Sequence, residues 1–152
     1  MSDPIVFASA TPRLGLPLLF AGQAQKEFFV NEAHALLDAL VHAAIEGEAD
    51  TPPVTPEEGE SWLVGATPTG EWADQAGRLT TFQAGGWLFI TPRDGIRLLD
   101  RATGQAIHFH GGWQRPVMPA APSGGTTVDG EARAALAELV DILVASGILP
   151  QS

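Results

Sequence analysis

LTTFQAGGWLFIT, residues 79–91, reads as two short apolar runs on either side of Ala84-Gly85-Gly86. Leu79–Gln83 and Trp87–Thr91 are rich in β-branched and aromatic side chains, and a glycine-containing pair between such runs is the signal of a β-hairpin. The same grammar continues outward. Pro92-Arg93-Asp94-Gly95 is a second turn, and Ile96–Asp100 and Gln105–His110 flank Arg101-Ala102-Thr103-Gly104 as a second hairpin. Trp62-Leu63-Val64 forms a short strand upstream, and a last strand starts at Trp113. Turns this regular predict a small antiparallel β meander over residues 60–115 rather than parallel βαβ units. Phe82-Gln83-Ala84-Gly85-Gly86-Trp87 is echoed by Phe109-His110-Gly111-Gly112-Trp113 with one residue fewer, which reads as two hairpins sharing turn chemistry.

A helix is expected on each side of this region, giving an α+β fold in a single domain over 1–152. Residues 1–22 form a proline-punctuated arm, with Pro4, Pro12, Pro17 and Gly22 breaking any long helix. Ala33, Leu36, Leu37, Leu40, Val41 and Ala44 recur at spacings of three and four, one apolar face at the helical period. Extending that helix backwards places Lys26 in the apolar stripe and Phe28 on the polar side. The regular helix is therefore expected from Asn31, as N-cap, to Glu46, with Gly47 as its left-handed stop. Arm and helix together make up residues 1–46, and the acidic, proline-rich 47–59 is an extended connector. After a Pro/Gly/Ala linker at 116–125, residues 129–147 form an amphipathic helix. Asp129 caps it, Gly147 stops it, and Ile148 closes a Schellman-type end on Leu143. A helix of about five turns is marginal alone. Its stripe of Ala132, Ala135, Leu136, Leu139, Val140, Ile142 and Leu143 needs a partner: the first helix, the sheet, or the same helix of a neighbouring copy.

Composition narrows function. The 152 residues are 45% apolar, enough for a folded core. Eighteen acidic against eight basic residues give a formal net charge of -10, which repels phosphate backbones and anionic lipid surfaces alike. Neither nucleic acid nor membrane is expected as a partner. The absence of cysteine excludes disulfides and thiolate metal sites. Leu14–Ala21 is too short to span a bilayer, and Met1-Ser2-Asp3-Pro4 lacks the basic start of a secretory signal, so synthesis in the cytoplasm is expected.

Leu16-Pro17, Gly22-Gln23-Ala24-Gln25-Lys26-Glu27, Asn31-Glu32-Ala33 and Leu37-Asp38-Ala39-Leu40-Val41 follow the pattern LPxLxxGQAQKxxxxNEAxxxLDALV. Gly59-Glu60, Trp72 and the run Gly86-Trp87-x-Phe-x-Thr-Pro-Arg-x-Gly extend the match. In these residues, 14 to about 97, the chain resembles an uncharacterised domain family of unknown function that recurs in prophage, phage tail-fibre and gene-transfer-agent proteins. The C-terminal helix, with Asp129, Ala132-Arg133, Leu143 and Gly147-Ile148-Leu149, resembles a tail piece of such proteins. The chain departs from the pattern at Glu27 and Phe28-Phe29, where the family often has His or a β-branched residue. The resemblance implies a trimeric building or host-attachment module of a virion or phage-like particle, with other virion proteins or a cell-surface glycan as partners. It also marks Gln23, Gln25, Lys26, Asn31 and Asp38 as motif residues. Lys26 is expected as an ion-pair or capping residue, with Asp38 as a candidate partner. A chain this short is expected to be a minor virion protein or adaptor rather than a whole fibre.

Other candidate sites are few. Trp62 and Trp87 sit in apolar strand contexts and read as core, whereas Trp72 and Trp113 lie among turns and are either core or exposed faces for stacking on a sugar ring. His108 and His110 alternate with Ile107 and Phe109, so both imidazoles share one face of a strand. They are either its solvent side or two ligands awaiting a third for zinc. His34, Asp38 and His42 are four apart on a helix, which is either exposed surface or an acid–base or metal pair. No nucleophile elbow, phosphate loop, HExxH or dinucleotide motif is present. No catalytic residue, metal or cofactor is expected. A carbohydrate-binding module is the alternative to a structural one, and a polysaccharide hydrolase the third reading.

Overall fold

The computed structural model describes residues 9–22, 25–125 and 128–151. Among them the chain is α+β, with two helices and eight short strands in two four-stranded mixed sheets. In order these are α1 (Lys26–Leu40), β1 (Ala44–Ile45), β2 (Glu48–Ala49), β3 (Ser61–Val64), a 3₁₀ turn (Gly70–Trp72), β4 (Leu79–Gln83), β5 (Gly86–Ile90), β6 (Arg97–Asp100), β7 (Gln105–Phe109), β8 (Trp113–Gln114) and α2 (Gly130–Ala145). They fall into two compact units: the chain up to Ala43 with Glu48–Pro92, and Ala44–Gly47 with the chain from Arg93 onward.

The expected single antiparallel meander is corrected to two sheets, ordered β2-β3-β4-β5 and β1-β6-β7-β8. The antiparallel hairpins are divided between them. Each sheet gains a parallel edge strand from residues 44–49, a stretch expected to be helix end and connector. Two-residue strands leave no alternation to read, and Ala44 also continues the helical stripe. Gly47, expected as a helix stop, is instead a buried residue between β1 and β2.

In the first unit the β4–β5 hairpin pairs Phe82 with Trp87 and Gln83 with Gly86. Its two-residue turn has positive φ at both Ala84 (53°) and Gly85 (76°), the twist-matched turn of two-residue hairpins. Holding alanine there costs about 1 kcal/mol. The Glu58 carboxylate offsets it by accepting from the Ala84 and Gly85 amides at 2.8 and 2.9 Å. Strand β4 is buried at Leu79, Thr80 and Thr81, so both of its faces are covered.

Helix α1 starts at Lys26 and ends at Leu40, correcting the expected Asn31–Glu46. Gln25 takes the N-cap position with φ 63° and no side-chain cap bond. Asn31 caps nothing: its side chain accepts from the Leu19 amide (2.8 Å) and donates to the Leu19 carbonyl (3.0 Å). The helix stops where the Arg13 guanidinium takes the carbonyls of Asp38, Ala39 and His42, and His42 turns left-handed with φ 51°. That stop signal comes from more than twenty residues upstream, so it is invisible to local periodicity.

In the second unit, β6 and β7 flank the 101–104 turn as expected. Leu98 and Ile107 are buried, with Ile45 of β1 beside them in the core. Asp100, also buried, pairs with Arg115 and accepts from the Ala102 amide. Asp129 caps α2 by accepting from the Ala132 amide at 2.9 Å. At the other end, Gly147 (φ 71°) sets a Schellman close, with Ile148 N donating to Leu143 O and Gly147 N to Val144 O. The residue that packs inward beyond it is Leu149, 5% exposed, and its burial contributes roughly 2 kcal/mol.

Candidate functional site

Motif residues Asn31 and Asp38 of α1, with His34 between them, build a clamp for the N-terminal arm. Asn31, His34 and Asp38 follow one another at i, i+3 and i+7, and so share one helix face. Asn31 holds Leu19, and His34 donates from Nδ1 to the Pro17 carbonyl at 2.8 Å. Asp38 is fully buried. Its carboxylate accepts from Thr11 Oγ1 (2.7 Å), the amides of Arg13 (3.1 Å) and Leu14 (2.6 Å), and Gln83 Nε2 (3.3 Å). Every partner of Asp38 thus comes from the arm or β4, which corrects the expected pairing with Lys26. His34 and Asp38 are likewise no exposed acid–base pair but the fasteners of the arm. Gln23, the remaining motif residue, lies outside the described residues.

The tryptophans resolve unequally. Trp72, expected as a candidate stacking residue, is 0% exposed, so it offers no face to a ligand. It sits between Trp62 (ring centroids 6.3 Å) and Trp87 (5.0 Å, edge-on), and Trp87 packs against Phe82 at 5.1 Å. Trp62 and Trp87, read as core, keep partial exposure, and Glu60 fixes the Trp62 indole through Nε1 at 2.7 Å. Trp113 is half-buried and packs edge-on against Phe109 at 5.4 Å. The sequence echo therefore has a physical meaning: each hairpin carries one Phe–Trp cross-strand pair.

His108 and His110 are exposed, and His110 Nδ1 lies 3.4 Å from the Asp94 carboxylate, itself exposed. No group of three potential metal ligands occurs among the described residues. One carboxyl is clearly shifted. The hydroxyl and amide of Thr67 hold Asp50 below the usual carboxylate range. Asp50 thereby ties the 65–69 loop to β2. A Cβ at Gly65 would meet its Oδ1 at 2.3 Å, so a side chain there would displace the Asp50 carboxylate.

The most unusual surface is apolar. With its polar face on the arm, α1 turns Phe29, Ala33, Leu37 and Leu40 outward; Phe28 is 70% and Phe29 77% exposed. Ala33, Leu37, Leu40 and Val41 of the stripe thus form the open side of the helix, with Leu36 half-buried, although the stripe's periodicity suggests a core. Helix α2 buries no residue, and Leu136, Leu139 and Ile142 stand 51%, 51% and 63% exposed along one side. Open apolar patches of this kind mark interaction surfaces. Phe28 and Phe29 were missed as surface residues, although the discord of Phe28 with the helical stripe was an available signal. None of the described helices is long and apolar enough to cross a membrane.

Residues 30–114 match the family model described as "Protein of unknown function (DUF2793)". The match runs from the arm-clamping face of α1 through both sheets to β8. No curated protein matches the chain.

Proposed function

The chain belongs to the DUF2793 family of proteins of unknown function, and from that premise we propose that it is a non-catalytic, self-associating structural or host-attachment module of a phage-like particle. Trimeric assembly, in a tail fibre, spike or adaptor, is the arrangement favoured by the resemblance. The observation that carries the reading is the open stripe of α2, where Leu136, Leu139 and Ile142 recur at helical spacing over a helix that buries none of its own residues. Such a helix gains most of its stability from partners. The -10 charge favours protein over nucleic-acid partners. The supporting polar residues are absorbed in structural tasks, Asp38 in the clamp and Asp100 in its ion pair. Mass spectrometry of particles banded on a density gradient tests the particle assignment. The chain is expected to co-band at a stoichiometry that is a multiple of three, and its absence from intact particles would sink the reading.

A second reading is favoured by Trp62 and Trp87, which pack against buried Trp72 and retain partial exposure. An indole held in place by its neighbours suits stacking of its π face on the apolar face of a sugar ring. Screening against host-surface polysaccharides checks it. Binding lost in Trp87→Ala with the fold intact supports it, and no binding to any glycan rejects it.

A further inference from the structure

Strand β5 is the outer strand of its sheet, and among the described residues it offers the longest free edge. The other outer strands, β1, β2 and β8, have two residues each, whereas β5 has five. The register fixes where its main-chain groups point. Phe82 N donates to Glu60 O and Gly59 N to Phe82 O, both at 2.8 Å, and Val64 N donates to Arg78 O at 2.9 Å. Residues 78, 80 and 82 therefore face β3, and Leu79, Thr81 and Gln83 face β5. Their partners Ile90, Leu88 and Gly86 turn toward β4, so the N–H and C=O groups of Trp87 and Phe89 point away from the sheet. No hydrogen bond from another described segment meets them.

Free edges of this kind are ordinarily guarded by a charge, a proline or a bulge, because they template pairing with another chain. Residues 87–91 carry no charge and no proline, and β5 runs along β4 without a bulge. Trp87, Leu88 and Phe89 are each half-buried. A strand added beside them would continue the aromatic layer of Trp87 and Phe89 on one face and the aliphatic layer of Leu88 and Ile90 on the other.

We propose that this edge takes up an extended segment of a different protein as an added strand, β-branched along its middle and basic at its ends. What the edge lacks is a main-chain partner, which an extended segment supplies. Charge decides between a second copy and another protein. The first unit, residues 1–43 with 48–92, holds eleven acidic against three basic residues, a formal net charge of -8 out of the chain's -10. Glu58, exposed, sits on the turn amides that lead into β5, so a carboxylate stands at one end of the edge. Two copies paired edge to edge would set like charge against like, whereas basic residues flanking a partner strand meet the opposite sign. This surface is separate from the α2 stripe, so the inference goes beyond self-association and does not depend on it.

The probe is a short synthetic peptide with a middle of valine and threonine and lysine at both ends, added to the full chain. At saturation, hydrogen exchange at the Trp87 and Phe89 amides should slow by at least about tenfold, while Leu88 and Ile90, already bonded to β4, change little. The same peptide with glutamate at its ends should bind at least about tenfold more weakly. N-methylation along the middle should abolish binding, since it removes the main-chain donors. Failure of the lysine peptide to bind overturns the proposal, as does binding that leaves Trp87 and Phe89 unprotected or that survives N-methylation. Equal affinity for the lysine and glutamate peptides overturns the basic partner. Protection of Trp87 and Phe89 that grows with protein concentration in the absence of peptide also overturns it, because a second copy then occupies the edge.

Discussion

Replacing Asp38 by alanine removes the acceptor on which the arm converges. The Thr11 hydroxyl bond is buried, and losing a buried bond to a charged group costs about 1.5–3 kcal/mol. The Arg13 and Leu14 amides are only part-buried, so water replaces some of what they lose, and each adds about 0.5–1 kcal/mol. The sum is about 2.5–5 kcal/mol, a large share of the roughly 5–15 kcal/mol that holds an ordinary domain together. Asp38→Asn keeps the shape but turns a donor toward groups that themselves donate, so it should fall between the wild type and alanine. Urea titration followed by tryptophan fluorescence reads the stability of the unit containing Trp62, Trp72 and Trp87. Hydrogen exchange at Leu14 and Arg13 reads the arm. The clamp predicts a lower midpoint together with faster exchange at both amides. A variant within about 0.5 kcal/mol of the wild type, with Leu14 still protected, would refute the assignment of Asp38 as the fastener.

Three further outcomes follow from local geometry. Ala84→Asn, which suits a positive φ, should stabilise the β4–β5 hairpin by about 0.5–1 kcal/mol in thermal melts. Arg115→Met leaves the Asp100 carboxylate buried without its cation and should cost about 3 kcal/mol in denaturant titration, with β6 and β7 amides exchanging faster. Asp50 has its native pKa lowered by Thr67, so its contribution is fully present above the ordinary carboxylate range and is lost as pH falls through the lowered native value. Thermal melts of wild type and Asp50→Asn should therefore differ at neutral pH and converge in strong acid; a constant difference would contradict this.

What was legible in the sequence had a strong local code. The hairpins at 79–91 and 97–109 announce themselves through turn residues between apolar runs. Asp129 and Gly147 bracket α2 because capping is decided within one turn of the chain. Helix α1 misleads for a physical reason. Its apolar stripe fits a core-facing helix, yet the face turned to the arm is half-buried Asn31 and His34 with buried Asp38, all hydrogen-bonded to the arm. Hydrophobic periodicity assumes that the apolar side faces inward, and here hydrogen bonding to a distant segment decides instead. The same distance hides the stop at Leu40, which depends on Arg13, and the parallel edges β1 and β2, whose partners lie far along the chain. Trp72 looked turn-bound and polar-flanked. Its burial follows from Trp62 and Trp87 closing over it, which no local window displays.

The open stripe of α2 is where the functional account stands or falls. Light scattering across a concentration series, on the wild type and on Leu136→Glu/Leu139→Glu/Ile142→Glu, tests it most directly. The account predicts a wild-type mass that is a multiple of the 15.9 kDa chain, three-fold in the favoured arrangement. The triple variant should collapse to a folded monomer, because charges on an already exposed face cost the isolated chain little. A wild type that stays monomeric at micromolar concentration, or a variant that keeps the wild-type mass, would contradict it.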